Sequence, residues 1–186
     1  MKTNELSVKL NAIMEKWDFS GCISICKDRE VIYQGYHGYA DYEAGKPNDL
    51  ETRFLIASVT KQFTAACIMI LVEEGKINLQ HTLDNYLPEY TYASQITIRQ
   101  MLNMMSGIPD MINEVIVEEI EQDNTERTQK EQLIFEYQTQ SRCFPLSEVL
   151  ELVNNRELNF EPGTSMNYSN TNYSFLGFIV ERLSGQ

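Results

Sequence analysis

Between Val59 and Val72 the chain puts apolar residues on every face of a helix: Val59, Phe63, Ala65, Ala66, Cys67, Ile68, Met69, Ile70, Leu71 and Val72 precede a terminating Gly75. A helix that is apolar all round has to be buried on all sides, so the stretch from Ser58 to Glu74 predicts a central helix. Further helices follow it. Thr97 to Ser106 opens on a capping box of Thr97 with Gln100 and closes at Gly107 and Pro109, while Leu146 to Val153 and Thr171 to Leu183 complete the set, the last ending at Gly185. Strand signals lie only at the other end. Phe19 to Lys27 and Glu30 to Tyr36, rich in Ile, Val and Tyr and split by Asp28-Arg29, read as a β-hairpin. Ahead of it Leu6, Leu10, Ile13, Met14 and Trp17 recur at helical spacing, and Gly35, Gly38, Gly45 and Pro47 mark a loop region behind it. The expected fold class is α+β. Residues 1–55 form a helix plus hairpin belonging to an antiparallel sheet, and residues 56–186 form an all-helical domain. One hairpin leaves both sheet edges open, which points to strands absent from this sequence and to self-association through those edges.

Charge narrows the partners. Twenty-seven acidic against fifteen basic residues give a formal charge of -12, which repels nucleic acid and anionic lipid over most of the surface. No apolar run is long enough to span a bilayer, and Met1-Lys2-Thr3-Asn4-Glu5 is no secretory leader, so a cytoplasmic location without a membrane segment is expected. The four cysteines, Cys22, Cys26, Cys67 and Cys143, are too scattered for a disulfide scaffold. With only His37 and His81 beside them at no zinc spacing, neither a metal nor a cofactor is expected. The acidic stretch from Asp110 to Gln140 reads as a solvated, partly helical excursion.

Chemistry enters at Ser58-Val59-Thr60-Lys61. A serine hydroxyl is a weak nucleophile that needs a neighbouring base, and residues three apart on a helix share a face. At a helix start, free N–H groups and the helix dipole also favour a developing oxyanion. The spacing alone is a weak signal: Ser24-Ile25-Cys26-Lys27 repeats it, but on a strand, where residues three apart point to opposite faces. Tyr168-Ser169-Asn170, in a loop opened by Pro162-Gly163, supplies a phenol that can relay a proton and an amide that can orient a lysine. A purely architectural account is that Ser58 and Asn170 cap helices and Tyr168 packs in the core. Ser165-Met166-Asn167 is a weaker rival for the second motif, because it lacks the phenol.

Phe54-Leu55-Ile56-Ala57-Ser58-Val59-Thr60-Lys61-Gln62-Phe63-Thr64-Ala65 resembles the first motif of the class C β-lactamase and penicillin-binding-protein-like serine hydrolases. Leu71 to Leu79, Tyr86-Leu87-Pro88, Ile96 to Leu102, Ser106-Gly107-Ile108-Pro109 and Pro162 to Asn170 resemble later segments of that family, in order. The resemblance implies catalytic roles for Ser58, Lys61 and Tyr168 and a substrate-binding role for Asn170. It also implies an acyl-enzyme formed on a β-lactam, a D-Ala peptide or an ester, at a site between a sheet-bearing and a helical domain. Departures are present. The family's third motif, Lys-Thr-Gly or His-x-Gly on a strand, has no counterpart after Lys130, so the sequence resembles an N-terminal part of the family. Met104-Met105 stands where the family tends to carry a polar pair, and Gln80-His81 where it usually has acidic residues. A small-molecule or peptide substrate is the expected partner of such a serine hydrolase. The alternatives are a non-catalytic penicillin-recognising sensor, a degenerate binding module, or a helical interaction protein.

Overall fold

The structure is a computed structural model that describes residues 3–123 and 125–185; Met1, Lys2, Asn124 and Gln186 lie outside the described residues. It divides into two compact units, Met1–Ile56 and Ala57–Gln186.

In the first unit helix α1 (Thr3–Lys16) lies against an antiparallel hairpin of β1 (Gly21–Lys27) and β2 (Glu30–His37). Asp28 and Arg29 have φ of 52° and 69°, the left-handed pair that lets a two-residue turn follow the twist of its strands. Pairing runs from Gly21 opposite His37 to Lys27 opposite Glu30, with a register slip after Ile25. Tyr33, buried on β2, donates to Asn11 Oδ1 at 2.8 Å and ties helix to sheet. Leu6, Leu10 and Met14 are half-buried, but Ile13 and Trp17 stay exposed, so the stripe of α1 is covered over only part of its length. The expected loop region contains a second short ladder, β3 (Tyr39–Asp41) with β4 (Lys46–Pro47). Its turn is closed by the Ala44 N–H on Asp41 Oδ1 and by a left-handed Gly45. Ladders this short leave almost no periodicity to read.

The second unit opens with a 3-10 turn, Ala57–Val59, leading into α2 (Thr60–Glu73). It continues through α3 (Ile98–Leu102), a π-helical turn (Met111–Ile116), α4 (Val117–Gln122), α5 (Gln129–Ser141), α6 (Leu146–Val153) and α7 (Asn170–Ser184). One core joins Ile68 and Leu71 of α2, Ile98 and Met101 of α3, Val149 and Val153 of α6, and Phe175, Leu176 and Ile179 of α7. Among the described residues no helix is long and apolar enough to cross a membrane.

Three expectations need correcting. Helix α2 is not buried on all sides, since Phe63 is 58% and Ile70 54% exposed; α7 covers the flank of Ile68 and Leu71 and leaves the opposite face open. Helix α3 begins with the predicted Thr97–Gln100 capping box but ends at Leu102, because Met104 turns left-handed at φ 59° and frees Ser106 for another use. The acidic stretch is not wholly an excursion either. Met111, Val115, Ile116 and Ile120 are buried, and only the part from 121 onward is mainly exposed.

Gly107 has φ 79°, and a Cβ there would collide with the Phe160 carbonyl oxygen. The left-handed backbone and the clash act together, so Gly107→Ala should cost about 2–4 kcal/mol in a denaturant titration. A loss below about 0.5 kcal/mol would mean that the 159–163 loop yields freely.

Candidate active site

Ala57 is held at φ 43°, a left-handed value unusual for a residue with a Cβ, and this bend delivers Ser58 to the start of α2. One turn on, Lys61 Nζ donates to Ser58 Oγ at 3.2 Å. The partners arrive from the other side on the approach to α7. Ser169, extended at φ −145°, is the residue that begins the helix, so Tyr168 precedes it and Asn170 occupies its first position. Tyr168 OH lies 2.6 Å from Ser58 Oγ, and Lys61 Nζ donates to Asn170 Oδ1 at 2.7 Å. Tyr168 OH also donates to Asn170 Oδ1, at 3.1 Å.

With Lys61 as an ammonium, the contacts fit one assignment of the hydrogens. An ammonium can only donate, and the phenol already spends its proton on Asn170. The remaining assignment has the Ser58 hydroxyl donating to the phenol oxygen while accepting from Lys61. In that assignment the serine proton points at the Tyr168 oxygen, and Lys61 Nζ lies beside the oxygen it leaves. Lys61 also lies 4.8 Å from the centre of the Tyr168 ring and 5.8 Å from that of Tyr173, whose π-faces complement its charge. Burial pushes the Tyr173 phenol above its ordinary pKa, and it is anchored by donating to the Leu102 carbonyl at 3.1 Å.

The architectural account of these residues does not hold. The residue that caps α2 is Val59, with no side-chain cap, and Ser169 rather than Asn170 caps α7. Tyr168 is 44% exposed and is no core aromatic. Asn167, from the rival motif, bonds to Met104 and reaches toward Glu114 instead of Ser58.

Beneath the four residues is a polar foundation that the sequence reading did not single out. The carboxylate of Asp110, fully buried, accepts from Asn170 Nδ2 at 2.9 and 3.2 Å. Ser106 donates to Asn172 Oδ1 at 2.6 Å, and Thr171 bonds both the Pro109 carbonyl and the Met111 N–H. The first turn of α7, which carries Asn170, Thr171 and Asn172, is thereby locked to the segment 106–111. The signal available in sequence was Asp110 directly after Pro109 and three residues before Asn113, a capping arrangement hidden by the acidic residues that follow. Beside Ser58 opens a cavity of about 440 Å³, bordered by Lys61, Thr64, Ile112, Asn170 and Tyr173. Among the described residues no cluster of three His, Cys, Asp or Glu side chains could hold a metal ion.

Known proteins match nearly the whole of this chain. A penicillin-binding protein of Bacillus subtilis (strain 168) is 27% identical over 186 residues, which cover 99% of this chain and 37% of that protein. The chain thus spans well under half the length of this curated relative. Among solved structures, a penicillin-binding protein from Bacillus halodurans superposes with a TM-score of 0.71 at 29% identity, over 95% of this chain and 48% of the other. A D-amino acid amidase from Ochrobactrum anthropi SV3 gives 0.62 at 25% identity, over 89% and 41%. The fold is that of β-lactamases and transpeptidases, of which this chain covers a part. With the family model for Beta-lactamase matching residues 11–186, on top of the ordered motifs and the fold, the chain belongs to the β-lactamase family.

Proposed function

We propose that this chain carries the nucleophile-bearing part of a serine hydrolase that acts through an acyl-enzyme on a β-lactam, a D-amino-acid amide or peptide, or a related ester. The observation that carries the reading is the Ser58 hydroxyl, held 2.6 Å from Tyr168 and 3.2 Å from Lys61 while capping no helix. Ser58 Oγ attacks the substrate carbonyl as its proton passes to the Tyr168–Lys61 pair, which reacts in the form holding one proton fewer, Lys61 as the free amine or Tyr168 as the phenolate, and ends the step as phenol and ammonium. The tetrahedral oxyanion faces the first turn of α2, whose leading N–H groups have no intrahelical acceptor. Collapse breaks the C–N or C–O bond, the pair returns the proton to the departing atom, and the acyl group remains on Ser58. Water, deprotonated by the same pair, then releases the acid and restores the serine. Asn170 holds both members of the pair through one oxygen. The names of the similar proteins, penicillin-binding protein and D-amino acid amidase, support the choice of substrate classes.

The test is intact mass after incubation with a fluorescent penicillin and with D-phenylalanine amide and ester probes, followed by peptide mapping. The expected result is a single adduct of the full penicillin mass on the peptide containing Ser58, since β-lactam opening loses no atoms. An adduct that persists without turnover would favour the sensor reading. No adduct with any probe, at high protein concentration and long incubation, would overturn acyl-enzyme chemistry for this chain.

A further inference from the structure

The amide of Asn170 has two ends of nearly equal shape and opposite hydrogen-bonding character, and the proton relay works only with one of them forward. With Oδ1 toward Lys61 and Tyr168, the amide accepts from an ammonium and a phenol. Turned over, it would aim its NH₂ at the same two donors. The two donors in front favour the oxygen, and the same choice is enforced from behind. Asp110 lies there, fully buried, and both its oxygens accept from Asn170 Nδ2, at 3.2 and 2.9 Å.

We propose that Asp110 is a positioning residue for the acylation chemistry: its carboxylate, an acceptor at every lone pair, fixes the Asn170 amide with the oxygen toward Lys61 and Tyr168. The inference rests on the acyl-enzyme reading of Ser58. Asp110 is itself held by donors alone. The N–H groups of Ile112 and Asn113 reach Oδ1 at 2.9 and 3.2 Å, and Asn113 Nδ2 reaches Oδ2 at 2.7 Å. Those bonds make Asp110 the cap of the turn Met111–Ile116, a role that fixes its position but does not require Asn170. The bonds to Asn170 are additional, and they tie the cap to the reacting groups. A neutral amide at position 110 would leave the main-chain bonds intact and remove the discrimination made from behind. Its own NH₂ would meet the NH₂ of Asn170 or of Asn113, so Asn170 would satisfy either the donors in front or the amide behind, and not both. A carboxylate is also favoured over a second amide because the buried charge faces an ammonium through one intervening amide, so the dipole of Asn170 is aligned by charge at both ends.

The decisive pair of variants is Asp110→Asn and Asp110→Asn with Asn170→Asp. The single change should slow acylation of Ser58 by a fluorescent penicillin about 100-fold, the penalty of a mis-set reacting geometry. Adding Asn170→Asp should recover about tenfold or more, because a carboxylate at 170 presents an acceptor to Lys61 in either orientation and accepts from the new amide at 110. A merely architectural cap predicts no recovery from the second change. Wild-type rates in the single variant, or no recovery in the double one, would overturn the proposal. A second measurement is independent of acylation and of any change at position 110. In ¹⁵N-labelled wild-type protein, with the signal assigned by its loss in Asn170→Asp, the two side-chain amide protons of Asn170 should be distinct and protected from solvent exchange. Rapid exchange of both would overturn the positioning role even if penicillin labels Ser58. Protected protons in a protein that no probe acylates would instead uphold the positioning and sink the acyl-enzyme reading.

Discussion

Ser58→Ala is expected to abolish penicillin labelling while leaving the melting temperature almost unchanged. The two halves of that result have different origins. Loss of the nucleophile removes the covalent step itself, so the rate should fall below detection, by an amount on the order of a million-fold. Stability should move by no more than about 0.5 kcal/mol, because Ser58 is exposed and caps nothing. Its two partners also keep other bonds, Tyr168 and Lys61 each to Asn170 Oδ1. Were Ser58 a structural cap, the pattern would invert, with about 1 kcal/mol lost and no chemistry to lose. Intact mass and a thermal melt on the same two samples separate these cases, and labelling that survives in the alanine variant would place the nucleophile elsewhere.

The largest stability effect is expected at Phe175. Its side chain is fully buried in α7, its ring centre lies 5.1 Å from that of Tyr90, and it sits in the core shared with α2, α3 and α6. Phe175→Ala removes most of a ring from a packed interior and should cost about 3–5 kcal/mol in urea, with the m-value unchanged. Stabilities of whole domains run to about 5–15 kcal/mol, so this single change could leave the second unit barely folded at 37 °C. A cost under about 1 kcal/mol would show that neighbours collapse into the space. The change is five residues from Asn170, so any temperature that melts the variant also disperses Tyr168 and Asn170.

What could be read in sequence was whatever is governed by local rules. The Thr97–Gln100 capping box, the Asp28-Arg29 turn, the ends of α6 and the glycine stop at Gly185 each depend on a few adjacent residues, and each is present in the structure. Helical spacing likewise anticipated a short reach from Lys61 to Ser58. Features set by distant partners were not legible. Asp110 looked like one more acidic residue because its significance comes from Asn170, sixty positions away. The early end of α3 comes from a left-handed Met104, a conformation that methionine does not advertise. The outer face of α2 was expected to be covered, since an apolar pattern states a demand for burial without naming what meets it. The family's third motif has no counterpart in this sequence, and no spacing argument could supply one.

The left-handed bend at Ala57 has a consequence for how the sequence can drift. A Cβ in that conformation costs roughly 1–2 kcal/mol through its clash with the following carbonyl, and a β-branched residue would cost more. Glycine would relieve the strain but widen the range of directions in which the next residue can point. Position 57 is therefore caught between two penalties. The substitutions open to it are few and small, although its side chain takes part in no reaction step.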